Sequence, residues 1–330
     1  MINVAIVGFG NVGKGVLRAV DKTPDMVASV ILTRRPDAVA SKIRQMGLVI
    51  PVKPFDDMGK IPVDVAILCG GSKEDLWTQG PTFAERYPTV DSFDTHGLIP
   101  KYLEMMDKSA KKGGNIAIIS TGWDPGLFSM MKLWGHAFLN LRVYTFYGLG
   151  KRGGLSMGHS NAIRDNVSGV LDARSYTHAI PDAIERVRAG ENPELKPGDM
   201  HWRECFVVTE KGADLGTITG MIKSMPDYFF GYRTTVKFIN QEEMGQDHKA
   251  MFHDGVAIAV GETSLGNKSV MEFQCQWDSN PESTAKIMVA CARAATRMKK
   301  QGVKGAFTIL DIPPGYLSSF SREESIRHFM

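Results

Sequence analysis

The sequence predicts two domains of different class: an α/β domain with a Rossmann-type doubly wound parallel sheet, then an α+β domain with a mostly antiparallel sheet. Three observations point there. The first third alternates short apolar runs with segments of helical period. The chain opens on an apolar strand followed at once by G-x-G-x-x-G and a helix. After residue 123 or so, apolar and polar residues instead alternate, as in strands with one wet face.

In order, "NVAIVG" reads as a buried strand, and "GNVGKGVLRAVDKT" as a helix with Val12, Val16, Leu17 and Val20 on one face. "MVASVILTRR", "DVAILCGG", "TVDSFD" and "NIAIISTG" follow as strands, with helices at "GPTFAERYP" and "IPKYLEMMDKSAKKG". Ligands of such a sheet bind beyond the strands' C-terminal ends. There fall "GFGNVG", "TRR", "CGGS", "DSFDTH" and "STGWDPG". Antiparallel strands are expected at "LRVYTFYGLG", "WRECFVVTE", "RTTVKFIN", "DGVAIAVGE" and "SVMEFQCQWD", with helices at "IPDAIERVRAG" and "DLGTITGMIKSMP". A long amphipathic helix, "PESTAKIMVACARAATRMKKQG", precedes the tail "GAFTILDIPPGYLS", which ends in a loop rich in proline and glycine. The expected boundaries are a dinucleotide-binding domain at 1–122 and a second domain at 123–281, with 282–330 returning to the first.

Apolar content of 43% and charged content of 23% are ordinary for a soluble globular chain of 330 residues. The net charge of +3 comes from 39 basic and 36 acidic residues without a basic run, so nucleic acid is not an expected partner. Cys69, Cys205, Cys275 and Cys291 are far apart and form no C-x-x-C pair. That argues against a disulfide framework or a metal site and fits a reducing compartment. The N-terminus lacks a basic leader, and no window approaches the roughly 20 apolar residues that span a bilayer. A cytoplasmic protein without a membrane segment is expected.

The glycine motif places Gly8 at the tight turn, Gly10 where the backbone approaches a pyrophosphate and Gly13 where helix and strand pack closely. The helix N-terminus offers unpaired N–H groups and partial positive charge to the phosphates. About twenty residues further on, a site for NAD places an acid on the ribose hydroxyls. This chain has Arg34 and Arg35 there and no acid before Asp37. Guanidinium groups bind a 2′-phosphate that a carboxylate would repel, so NADP is the expected cofactor.

Asp94 and Asp124 each follow a strand of the first domain, where the nicotinamide would lie. Two carboxylates there suit a substrate bearing an ammonium group, which they would bind and help deprotonate. "GLSMG", Gly154 to Gly158, matches the hydrolase elbow G-x-S-x-G, but its glycine-rich flank argues for a substrate loop with backbone N–H groups facing an anion. Arg203 and His253 are cationic candidates in the second domain whose roles their spacing alone leaves open.

Together "VGFGNVGKGV", "TRR", "LCGGS", "DSFDTH", "STGWDPGLFS", "GLSMGHS", "HWRECFVV", "MPDYFFGY", "DSNP" and "RAATRMKKQG" resemble the meso-diaminopimelate dehydrogenase family, in order over nearly the whole chain. The resemblance implies NADP-dependent oxidation of the D centre of meso-2,6-diaminopimelate, giving L-2-amino-6-oxopimelate and ammonia, as a step of lysine biosynthesis. It implies a homodimer, and a second domain that binds substrate and dimerises. It implies cofactor contacts at Gly8, Phe9, Gly10, Asn11, Val12 and Gly13; at Thr33, Arg34 and Arg35; and at Cys69, Gly70, Gly71 and Ser72. Ser92, Phe93 and Asp94, with Thr121, Gly122, Trp123, Asp124 and Pro125, would line the nicotinamide side. Substrate contacts implied are Asp94, Asp124, Tyr147, Met157, Gly158, Thr177, Arg203, His253 and Asn280, with Asp94 and Asp124 the candidate general bases.

The chain departs from the family where Met157 replaces a common glutamine, Tyr147 a common tryptophan and "FHDG" the usual "PHGG". "GKRGG" reads as a small insertion, Gly150 to Gly154. These departures bear on substrate breadth more than on the reaction. The competing readings are another NADP-dependent two-domain dehydrogenase, acting on a different D-amino acid or a semialdehyde, and a binding protein that senses NADPH.

Overall fold

The computed structural model describes residues 1–139 and 142–330. The chain begins β1 (Ile2–Val7), α1 (Asn11–Asp21), β2 (Met26–Leu32), α2 (Pro36–Gln45) and β3 (Val52–Lys53). It continues through β4 (Val65–Leu68), α3 (Asp75–Ala84), β5 (Thr89–Asp91), α4 (Ile99–Lys112), β6 (Ile116–Ile119) and α5 (Leu127–Leu139). Next come β7 (Arg142–Tyr147), β8 (Gly154–Ser156), α6 (Met157–Asn166), β9 (Val170–Ala179), α7 (Pro181–Arg188), α8 (Pro197–Met200) and β10 (His201–Thr209). The remainder is α9 (Leu215–Ser224), β11 (Thr234–Phe238), α10 (Gln241–Asp247), β12 (His253–Glu262), β13 (Lys268–Trp277), α11 (Asn280–Lys300), β14 (Gly305–Thr308) and α12 (Arg322–Phe329). The chain divides into two compact units, one of Met1–Met130 with Pro281–Met330, the other Met131–Asn280.

The first unit holds a seven-stranded sheet in the order β3-β2-β1-β4-β5-β6-β14, with every pair parallel. Its strands read as nearly continuous apolar runs because helices cover both faces. All of β4 and β6 and the last four residues of β1 are buried. The strand order reverses at β1, between β2 and β4, which opens the ligand crevice beyond the C-terminal ends of β1 and β4. Gly15 of α1 lets that helix approach α11 closely, since a Cβ there would stand 2.9 Å from that of Ala285.

The second unit holds two sheets. One runs β11-β10-β9-β8, antiparallel except where β11 lies parallel to β10. The other, β13-β12-β7, is antiparallel throughout. Ile163 of α6 and Val167 just after it bury against Ala173, Cys205 and Val207 of the four-stranded sheet, with Ile218 and Ile222 of α9.

Several segments fold otherwise than their pattern indicates. "GLSMG" is no loose loop: Gly154–Ser156 is a strand that leads directly into α6. Alternation is masked in β9 because its polar residues Ser175, Thr177 and His178 are buried too. "GAFT", read as part of the tail, is β14, a parallel edge strand beside β6. The helix expected from Gly80 begins five residues earlier, at Asp75, and carries Pro81 within it.

Candidate active site

The turn between β1 and α1 depends on its glycines. Gly8 has φ +91°, which favours glycine, and its N–H donates to the Leu32 carbonyl at 2.8 Å. A Cβ on Gly13 would overlap the Gly8 carbonyl, so the helix can seat on the strand only without one. A Cβ on Gly10 would meet no atom within 4 Å, so packing within the chain does not require glycine there. Gly10 is also the N-cap of α1, with no side chain bonded to the helix amides and no acid in the first turn. The first turn, with Phe9, Asn11 and Val12 around Gly10, thus has the backbone form that accommodates a phosphate at a helix N-terminus.

Arg34 and Arg35 follow β2 after Thr33 and are both exposed. The Arg35 N–H donates to Thr33 Oγ1 at 3.3 Å, which fixes the turn. The Arg34 guanidinium pairs with Asp75 at 3.1 Å, and the other Asp75 oxygen accepts from the Gly71 N–H at 3.2 Å. Asp75, a residue the motifs did not single out, thus ties the arginine turn to the "CGGS" turn. Cys69 donates its N–H to the Val7 carbonyl at 2.8 Å, and burial pushes its thiol up to about 12, so it packs and does not react. Gly70 sits where a Cβ would come within 2.7 Å of the Asp75 Cβ.

The loops bearing Asp94 and Asp124 are organised by Asp91, the first acid of "DSFDTH", which no motif singles out. Asp91 ends β5 fully buried. Its carboxylate accepts from the Phe93 N–H at 2.9 Å, the Ser120 N–H at 3.3 Å and the Tyr102 hydroxyl at 2.9 Å. Its carbonyl accepts from the N–H and hydroxyl of Thr121, at 2.9 and 2.8 Å. Phe93 stacks on Tyr102 at 4.1 Å, and the Asp94 N–H donates to Ser72 Oγ at 3.1 Å. Thr121, Gly122, Trp123, Asp124 and Pro125 continue from β6, closed by the Leu127 N–H on the Gly122 carbonyl at 3.0 Å.

Burial raises the Asp91 carboxyl to about 6, against the hydrogen bonds that favour its ionised form. A carboxyl whose folded pKa exceeds its unfolded one contributes most below about pH 4 and loses that contribution as pH rises through about 6. Wild-type stability should therefore fall by about 3 kcal/mol over that window relative to Asp91→Asn, which does not titrate. Denaturant melts of both proteins at pH 3.5 and 7.5 check this; parallel pH profiles would refute it.

In the second unit, Gly154, Thr177, Arg203 and Thr234 occupy one cross-strand row of β8, β9, β10 and β11. The Arg203 guanidinium donates to Thr177 Oγ1 and lies 4.3 Å from the Tyr232 ring centroid. Arg203 is 7% exposed, no carboxylate among the described residues pairs with it, and its Nε has no hydrogen-bond partner. Burial holds its pKa below the ordinary value. A buried, unneutralised guanidinium is costly unless an anion completes it. His253 caps the same end of the sheet: a Cβ on Gly154 would meet its ring at 2.7 Å, and its Nδ1 stands 3.0 Å from the Asp254 carbonyl oxygen. Tyr147 meets His253 edge-on at 6.1 Å and stacks on His201 at 5.5 Å, and its N–H donates to His201 Nε2 at 2.9 Å. Burial, then the charge of Arg203, push His201 down to about 3, leaving it a neutral acceptor.

Met157 and Gly158 are the first two residues of α6, so the anion-facing N–H groups expected of a loop belong instead to a helix N-terminus. The Asn280 N–H donates to the Met251 carbonyl at 2.8 Å, at the start of α11. Two departures from the family pattern prove to be coupled. Asp254, the acid of "FHDG", accepts from the Leu149 and Gly150 N–H groups at 2.8 and 3.3 Å and so anchors the "GKRGG" loop. Ser156 is no hydrolytic nucleophile: its backbone is extended, at φ −95° and ψ 105°, and the imidazole beside it is too weak a base at about 3.

A Rossmann sheet with a glycine turn after β1 and two arginines after β2, followed by an α+β unit with a buried, unpaired guanidinium, is the architecture of a two-domain NADP-dependent oxidoreductase. The profile of the diaminopimelic acid dehydrogenase C-terminal domain matches residues 122–279. The meso-diaminopimelate D-dehydrogenase of Ureibacillus thermosphaericus is 47% identical over 98% of this chain and 97% of its own. The solved diaminopimelate dehydrogenase of Corynebacterium glutamicum, in complex with diaminopimelate, is 39% identical with a TM-score of 0.91 over 100% of this chain and 99% of its own. An engineered D-amino acid dehydrogenase bound to NADP+ is 38% identical with a TM-score of 0.86, over 100% and 99% of the two chains. This chain belongs to the meso-diaminopimelate dehydrogenase family.

Proposed function

We propose that this protein catalyses the reversible oxidative deamination of meso-2,6-diaminopimelate at its D centre, with NADP and water, to L-2-amino-6-oxopimelate, ammonia, NADPH and a proton. The observation that carries the substrate assignment is Arg203: a buried guanidinium with an unsatisfied Nε, beside Thr177, calls for a carboxylate. The simplest test is nicotinamide absorbance with NADP and meso-diaminopimelate. No NADPH formation with that substrate would overturn the assignment, and formation only with another D-amino acid would replace it.

The residues present fit NADP. Gly8 to Gly13 with the α1 amides would hold the pyrophosphate and Thr33 to Arg35 the ribose phosphate; Cys69 to Ser72 would add further cofactor contacts, and Ser92 to Asp94 and Thr121 to Pro125 would line the nicotinamide side. When bound, the cofactor supplies the hydride acceptor. Asp94 and Asp124 bind the ammonium of the reacting end, and one of them takes its proton so that the nitrogen lone pair can assist loss of hydride from Cα. The resulting imine adds water and releases ammonia. Thr177, Arg203 and His253 hold the distal carboxylate, with Tyr147, Met157, Gly158 and Asn280 completing that end. Fixing both ends of a nearly symmetric diacid presents one stereocentre only.

The partners are small molecules. Among the described residues no helix is long and apolar enough to cross a membrane, and a cytoplasmic location follows from the biosynthetic reaction. The protein is a homodimer in this reading, supported by exposed Leu133, Trp134 and Phe138 on α5 and by Val270 and Met271 on the edge strand β13. A monomeric mass in sedimentation would refute it.

A further inference from the structure

Ser156 and His159 stand at the edge of the proposed carboxylate site without a part in the chemistry above. Ser156 is the N-cap of α6, the ten-residue helix Met157–Asn166. A serine there ordinarily turns its oxygen onto the N–H of the second or third helical residue. This one makes no such bond; its hydroxyl lies 2.6 Å from His159 Nδ1. The imidazole is held by Tyr228 and Phe229, whose rings meet it edge-on at 5.3 and 5.4 Å, and by a hydrogen bond to the Tyr228 backbone. Burial, then the Arg203 charge, keep it neutral. With its other nitrogen donating to that backbone, Nδ1 carries the lone pair and the Ser156 O–H donates to it.

As a result the N–H groups of Met157, Gly158 and His159 have no hydrogen-bond partner among the described residues. Two independent observations say what they face. A Cβ on Gly158 would meet no atom within 4 Å, and its φ is not positive, so neither packing nor backbone requires glycine there. Arg203, nine-tenths buried with an unpartnered Nε, lies on the sheet face that α6 covers. On that face the Ser175 N–H donates to Ser160 Oγ at 2.9 Å, and Cys205 beside it meets Ser175 Oγ at 3.7 Å. An open helix N-terminus and a buried guanidinium are both donors to an anion.

We propose that His159 is a positioning residue: by holding the Ser156 hydroxyl off the first turn of α6, it keeps the Met157 and Gly158 N–H groups open for the distal carboxylate. This rests on the functional reading above. In His159→Ala the hydroxyl is released and caps α6, which competes with substrate. KM for meso-diaminopimelate at saturating NADP should rise about five- to tenfold, with kcat within about twofold. The double variant Ser156→Ala/His159→Ala removes the competing cap, and KM should return to within about twofold of wild type. His159→Asn, whose side-chain oxygen takes the place of Nδ1, should keep KM low. His159→Leu fills the ring's volume and serves in place of alanine should that variant not fold. A double variant with KM as high as the single one, or a single variant with wild-type KM, overturns the proposal. Wild type that forms no NADPH from meso-diaminopimelate overturns the functional reading instead.

Discussion

Arg203→Met should raise the KM for meso-diaminopimelate at least about thirtyfold while leaving the NADP dissociation constant unchanged. Truncating one partner of a buried, hydrogen-bonded charge pair costs about 2–5 kcal/mol of binding. Arg203 is 7% exposed; one of its N–H groups donates to the Thr177 hydroxyl and the guanidinium lies over the Tyr232 ring, which leaves Nε without a partner, and in the proposed function a substrate carboxylate fills that place. Methionine keeps most of the stem's volume and removes a buried charge that no acid among the described residues neutralises. The melting temperature should therefore hold or rise as affinity falls. Steady-state kinetics beside a thermal melt test both halves. A wild-type KM would remove Arg203 from the substrate site, and a large drop in melting temperature would make its role structural.

Arg34→Glu with Arg35→Ala should weaken NADP by about a hundredfold or more and leave NAD binding within a few-fold. Each charge-assisted hydrogen bond to a phosphate contributes about 1.5–3 kcal/mol, and two are lost together. Both arginines are exposed, so the Arg34–Asp75 pair at 3.1 Å adds little stability, and the fold should tolerate the change. Because the contacts are exposed, the wild-type preference should also shrink with added salt. Fluorescence titration with NADPH and NADH at two ionic strengths reads all of this. An unchanged preference would reduce the pair to a surface turn.

The cofactor half of the candidate site can be proposed from the sequence because its features are local. Gly8, Gly10 and Gly13 act through backbone conformation and close approach within one strand-turn-helix unit, and Arg34 and Arg35 follow the next strand after Thr33. The same locality exposed Asp94 and Asp124 at strand ends. No motif singles out Asp91, although it stands three residues before Asp94, because its importance lies in three donors that arrive from Phe93, Tyr102 and Ser120. Asp75 and Asp254 escaped for the same reason: each joins two loops far apart in sequence. "GLSMG" misled in another way. Glycines at 153 and 154 suggested looseness, but they are required because His178 and His253 occupy the space a side chain would fill.

The amino-acid sequence by itself determined the doubly wound sheet, the phosphate turn, the preference for the phosphorylated cofactor and, through its motifs, the family. Those properties follow from periodicity and from backbone geometry over a few residues. Only the tertiary structure decided that Arg203 is buried without an acid, that Asp91 organises two loops and that a histidine diverts the cap of α6. Burial and cross-strand register depend on which distant segments pack together, and the local pattern of residues does not contain that information.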